Sequence, residues 1–302
     1  MDFSLNPDLI SLSTAVDGLA AQFEEKPIEF RGFVLSSADL DRQLVEAEFF
    51  DIAAIPELGP VAAAMTVERL ARLPFTVEAA LSMLVRPVVA DGQLPRPFAL
   101  IERGRPGRFV AEAKTLIVAD GDRLGIAAVT PEDVVAVESI YAYPMGRLAR
   151  DVEVQPLSAA DAAHVRTRLR VALAAEAAGL IQAAIDSTVE YLTVRKQFGR
   201  PLGTFQALRH RMAECAVLAG GVKWLALQAA STGDVGDAAL AAFHAQESGA
   251  RLCYDTHQML GAMGMTLEHP LHLWTYRLKW LLSELGGQGQ QAQAVVDHCF
   301  RA

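Results

Sequence analysis

A chain of 302 residues, 52% hydrophobic and 21% charged, has enough apolar content to bury a large core and is not a disordered chain. Its formal charge of −9 with no basic run argues against nucleic acid, no apolar run reaches the ~18 residues of a membrane span, and the opening residues lack the basic and apolar regions of a secretory signal. Cys215, Cys253 and Cys299 are scattered without a CxxC spacing, as expected of reduced thiols in a cytoplasmic protein.

Residues 1–90 read as helices. Leu9, Leu12, Val16, Leu19 and Phe23 recur at helical spacing from Pro7 onward. A second helix opens at Ser37, with Leu40, Leu44 and Ala47 on one face. Pro56 to Pro60 is a turn. A third helix follows, with Met65, Leu70 and Leu73 inward and Glu68 and Arg69 outward. Residues 91–156 change period. Phe98–Ile101, Arg108–Glu112, Thr115–Val118 and Leu124–Val129 are short β runs, and Val152–Pro156 adds another. Asp120-Gly121 between two of them signals a hairpin.

From 157 to 302 the pattern is helical again. Four long amphipathic segments span Ala159–Val194, Phe205–Ser231, Asp237–Leu260 and Leu267–Leu285, with a weaker fifth over Gln288–Phe300. Short connections between them predict an antiparallel four-helix bundle. The fold class is therefore mainly α with a small β domain: N-terminal helices over 1–90, a β domain over 91–156 and a bundle over 157–302.

The most informative stretch is the connection Arg195-Lys196-Gln197-Phe198-Gly199-Arg200-Pro201-Leu202-Gly203-Thr204-Phe205-Gln206. Gly199, Pro201 and Gly203 break the helix, and Thr204 can cap the next one. Two arginine forks beside an aromatic ring suit phosphate oxygens and a flat heterocycle, although an ordinary connection with solvated arginines has the same composition.

Tyr191 to Gly199, continued by Pro201 to Glu214, resembles the C-terminal signature of the acyl-CoA dehydrogenase family. Gln258-Met-Leu-Gly261-Ala262-Met-Gly264 resembles its Gln-x-x-Gly-Gly-x-Gly turn, and Glu268-His269-Pro270-Leu271-His272 a run found in bacterial members. The resemblance is strongest from Ala160 to Gly287. Leu44 to Gly59 resembles an N-terminal segment of the family, and Glu68 matches the place of an outward acid, read here as a plain surface glutamate. The β domain is shorter than the family's.

That resemblance implies FAD-dependent α,β-dehydrogenation of an acyl-CoA, with a glutamate as base. The family's two base positions fall on Leu169 and Leu285, neither acidic. Glu284 is one residue away, but on a helix one residue turns a side chain by about 100°. Glu176, two turns from Leu169, reads as structural. The flavin-ring contacts expected in the β domain are missing too. There is no Thr-Glu-Pro segment, only Thr130-Pro131-Glu132, and Trp224, Trp274 and Trp280 all fall in the bundle. The positions that match the family's pyrophosphate and adenosine contacts are Arg195, Gln197, Phe198, Leu202, Gln206, Gln258 and Gly261. Ala262 departs from the second glycine, and its methyl limits close approach of a phosphate. The spacing of His269 and His272, with His257, invites a metal reading that no neighbouring cysteine completes.

By this resemblance the chain is the shorter, non-catalytic member of a heteromeric α2β2 acyl-CoA dehydrogenase acting on a bulky CoA thioester such as a steroid side chain. Its partner is a catalytic acyl-CoA dehydrogenase chain. Two alternatives remain: a self-sufficient dehydrogenase with Glu284 as a displaced base, and a flavin-free structural or regulatory paralogue.

Overall fold

The computed structural model describes residues 6–26 and 33–300. Helix α1 (Pro7–Ala20) starts where Asn6 accepts from the Leu9 amide at 2.8 Å and Pro7 supplies a preset φ. Helix α2 (Ala38–Glu46) is capped by Ser37 and buries Leu40 and Leu44. Helix α3 (Gly59–Ala71) begins inside the expected turn, because Pro60 is tolerated in a first helical turn. Short α4 (Ala80–Leu84) leads into the β region.

Seven short strands follow. One sheet runs in the order β1 (Phe98–Glu102), β3 (Thr115–Asp120), β4 (Arg123–Ala128) and β7 (Gln155–Pro156); β1 and β3 are parallel and the rest antiparallel. The hairpin at Asp120-Gly121 forms as expected, with Gly121 at φ +58°. The second sheet is β2 (Gly107–Arg108), β6 (Met145–Leu148) and β5 (Val134–Ala136). Alternation divides β3 between two cores: Leu116 and Val118 join Phe109, Tyr143 and Met145, while Ile117 faces the helices. The run Arg108–Glu112 is not a full strand. Phe109 turns to φ +61°, and residues 110–112 form a 3-10 turn. Neither β5 nor β6 carries a run of alternation long enough to be read.

Five helices complete the chain: α5 (Ala159–Val194), α6 (Gln206–Thr232), α7 (Val235–Leu260), α8 (His272–Leu281) and α9 (Gly287–Cys299). α5 is the axis, buried over most of 165–188. It contacts α6, α7, α8 and α3. Gly179 lets α3 approach, since a Cβ there would lie 2.0 Å from the Glu68 carbonyl oxygen. That crossing overturns the outward placement of Glu68. Its residue is 6% exposed, and its carboxylate accepts from Arg72 Nε at 3.0 Å. Arg69 is likewise drawn inward, onto Asp17 and Glu24. α8 is shorter at both ends than its sequence pattern. Pro270 disfavours helical backbone before it, and Leu285 turns to φ +55° ahead of Gly286 and Gly287. Between β8 (Lys196–Gln197) and β9 (Arg200–Pro201) the 195–206 connection is a two-residue hairpin. Thr204 does not cap α6; its hydroxyl donates to the Pro201 carbonyl at 2.7 Å. Among the described residues, no helix is long and apolar enough to cross a membrane.

Candidate functional site

Two regions matter. The first is a cleft of about 710 Å³ between the β1, β3 and β4 ends and helices α5 and α9. Leu169 and Leu285, 116 residues apart in sequence, both line it. The two expected base positions therefore meet in one cavity, and both present hydrocarbon.

Glu284 does not line this cleft. Its carboxylate accepts from Arg108 Nε at 2.8 Å, Arg108 Nη2 at 3.1 Å and Trp280 Nε1 at 3.1 Å. Arg108 also donates to Glu176 at 2.6 Å, and the Tyr143 hydroxyl donates to the other Glu176 oxygen at 2.8 Å. Burial opposes charge on Arg108, but the two carboxylates outweigh it and hold the guanidinium well above its ordinary pKa. Burial and the Glu176 charge push the Tyr143 phenol well up. Every oxygen of the two carboxylates already accepts a hydrogen bond within this cluster. Sequence reasoning missed Arg108, Tyr143 and the role of Trp280, which stacks edge-on against Tyr141 at 5.3 Å from the bundle side. Arg108 meets its partners from 68 and 176 residues away, so no local pattern announces it.

The second region is the outer end of the bundle. Arg195 closes α5, and its carbonyl accepts from the Leu202 amide at 2.8 Å. Phe198 and Gly199, at φ +56° and +81°, are the two central residues of the hairpin turn. Asn or Gly is usual where Phe198 stands, and a bulky residue there is strained. Phe198 is nonetheless 86% exposed. Arg200 stacks over Phe205 at 4.1 Å. Among the described residues, no carboxylate pairs with Arg195, Lys196 or Arg200. Leu202 differs from its neighbours, being half-buried against the core, where it anchors the loop. Gln197 and Gln206 are exposed.

Gln258 and Gly261 end α7, both exposed, and Gly261 has the positive φ of +61° that glycine tolerates. Asp255 pairs with Arg211 at 3.4 Å and receives the Cys215 thiol. This antiparallel contact puts the start of α6 at the same end as Gln258. Six of the seven expected contact residues thus lie exposed at one end of the bundle, and the seventh, Leu202, supports them. A dianionic pyrophosphate beside a flat ring system fits this donor set: unpaired guanidinium, exposed phenyl, amides and a glycine turn. Among the described residues, no tryptophan lines the cleft that holds Leu169 and Leu285. His269 and His272 do not converge on a metal. Nδ1 of His269 accepts from the Leu271 amide and Nδ1 of His272 faces the His269 carbonyl, and no group of three or more metal-binding side chains occurs among the described residues.

The family described as "Acyl-CoA dehydrogenase, C-terminal domain" matches residues 162–291. The Mycobacterium tuberculosis acyl-CoA dehydrogenase FadE34 is 31% identical over 204 residues, covering 64% of this chain and 28% of FadE34. Acyl-CoA dehydrogenase IpdE2 of the same organism is 30% identical over 202 residues, covering 59% of this chain and 62% of IpdE2. The chain thus spans less than two thirds of either relative. Over its whole length it shares the fold of a chain in the ChsE4-ChsE5 complex from Mycobacterium tuberculosis, with TM-score 0.79, 18% identity and 100% coverage of both chains.

Proposed function

Because the chain belongs to the acyl-CoA dehydrogenase family, we propose that it is the non-catalytic subunit of an FAD-dependent acyl-CoA dehydrogenase. In this reading an α2β2 complex carries out α,β-dehydrogenation of a bulky CoA thioester such as a steroid side chain. Its shortened β domain, residues 91–156, makes no flavin-ring site, and its bundle, residues 157–302, completes the partner's. The observation that carries the reading is the pair of leucines, Leu169 and Leu285, in one cleft. FAD, when bound, supplies the hydride acceptor. This chain's residues hold its far end. Arg195 donates charge-assisted hydrogen bonds to the pyrophosphate, Phe198 covers the adenosine, and Gln197, Gln206, Gln258 and Gly261 supply amides and backbone approach.

A self-sufficient enzyme using Glu284 is disfavoured by the three hydrogen bonds that already fix that carboxylate. A flavin-free paralogue is disfavoured by the strained, exposed Phe198 beside unpaired cations, an arrangement that a structural loop does not need. The test is purification alone and together with any acyl-CoA dehydrogenase chain encoded beside it. We expect no turnover of any acyl-CoA by the chain alone, since an absent base forfeits roughly 10²–10⁴-fold in rate or more, and turnover with bound flavin in the complex. Turnover by the chain alone that Glu284→Gln abolishes would replace this reading with the self-sufficient one. A complex that never holds flavin would favour the paralogue.

A further inference from the structure

The cleft holding Leu169 and Leu285 contains a charge that the proposed subunit role leaves unused. Arg170 lines it and is only 6% exposed. Its Nε donates to Gln291 Oε1 at 2.8 Å, and Gln291 is itself fixed by donating to the Leu285 carbonyl at 2.6 Å. Among the described residues the two terminal nitrogens of Arg170 have no protein acceptor, and no carboxylate pairs with it. Burial, and then the nearby charge of Arg166, push its pKa down to about 10, so it stays charged at neutral pH. A buried guanidinium without a counter-charge is costly unless something supplies one.

The other cations of the cleft are engaged. Arg103 pairs with Asp120 at 3.2 Å, Arg105 with Glu102 at 2.8 Å, and Arg166 donates to the Asp122 carbonyl at 2.9 Å. Asp122 and Asp297, which also line the cleft, are solvent-exposed. Leu100, Leu124, Leu169 and Leu285 supply apolar wall. Its volume of about 710 Å³ is that of a small-molecule site.

We propose that this cleft binds a carboxylic acid with a hydrocarbon body, the carboxylate held by the terminal nitrogens of Arg170 and the hydrocarbon by the four leucines. A carboxylate matches the two-pronged guanidinium edge, which an inorganic anion would engage without using the leucines. The protein's own negative charge is missing at 169 and 285, and the ligand brings it instead. The site uses only this chain's residues, so it is independent of whether the bundle end holds FAD.

Calorimetry and thermal shift on the full chain test it, with hexanoate as a slender acid, cholate as a bulky one, and 1-hexanol and inorganic phosphate as controls. We expect at least one of the two acids to bind and to raise the melting temperature, with neither control doing so. Arg170→Met should weaken that binding at least tenfold, and Arg170→Lys should retain part of it. Ala294→Phe, which fills the cleft from α9 without removing charge, should abolish binding, and it decides the matter if Arg170→Met does not fold. The proposal is overturned if neither acid binds, if the folded Arg170→Met or Ala294→Phe protein binds as well as wild type, or if phosphate or hexanol binds as tightly as the acids.

Discussion

Arg108 ties the β region to the bundle. The residue is 3% exposed, and its guanidinium engages Glu176 on α5 and Glu284 beyond α8. Removing one member of such a buried cluster is worse than removing all of it, because the partners keep their desolvation cost without the attraction. Arg108→Met should therefore destabilise the chain by about 3–5 kcal/mol in urea unfolding. Adding Glu176→Gln and Glu284→Gln should recover much of that loss. A single-variant loss below ~1 kcal/mol would show that the cluster does not clamp the β region to the bundle.

At the scale of elements, the 195–206 hairpin and the 257–272 turn make separable predictions. Phe198 occupies a left-handed position that costs a bulky residue about 1–2 kcal/mol. Phe198→Asn should raise the stability of the isolated chain slightly, and lower the flavin content of the complex. Unchanged flavin content would show that the ring is not a cofactor contact. In the turn, His257 Nδ1 donates to the Gly264 carbonyl at 2.6 Å. Burial lowers the pKa of His257, His269 and His272 below the ordinary 6.5. A histidine depressed in the folded state binds its proton more readily when unfolded. Stability is thus intact above pH 6.5 and is lost as the pH falls below it toward the folded values. The melting temperature should drop over that interval, and less steeply in His257→Gln. A flat profile in wild type would contradict the assignment.

For the whole molecule, the proposal concerns stoichiometry. If only the bundle end of this chain serves a cofactor, an α2β2 complex holds two FAD rather than four. Arg195→Ala should lower the flavin-to-protein absorbance ratio while size-exclusion chromatography still returns the complex. Four FAD per complex, or full flavin in Arg195→Ala, would end the half-site reading.

The sequence by itself determined those features whose causes are local. The span of α5 was legible because the helical pattern runs unbroken from Ala159 to Val194. The Asp120-Gly121 hairpin was legible because its turn residues dictate it. The 195–206 loop stood out because its breakers and arginines fall within one short run. The family resemblance, counted from Arg195 and Gly264, pointed to Leu169 and Leu285, which line one cleft. Tertiary structure decided everything that depends on elements crossing. Glu68 looked outward on its own helix and is buried because α5 approaches over Gly179. Glu284 was an open candidate until Arg108 reached it from the β region. Arg170 was an ordinary helical arginine until the fold enclosed it beside two leucines with no carboxylate paired to it among the described residues. Periodicity and caps act over a few residues and survive in the sequence as patterns. Burial, pairing and desolvation depend on which distant segments meet, and a one-dimensional pattern does not record that.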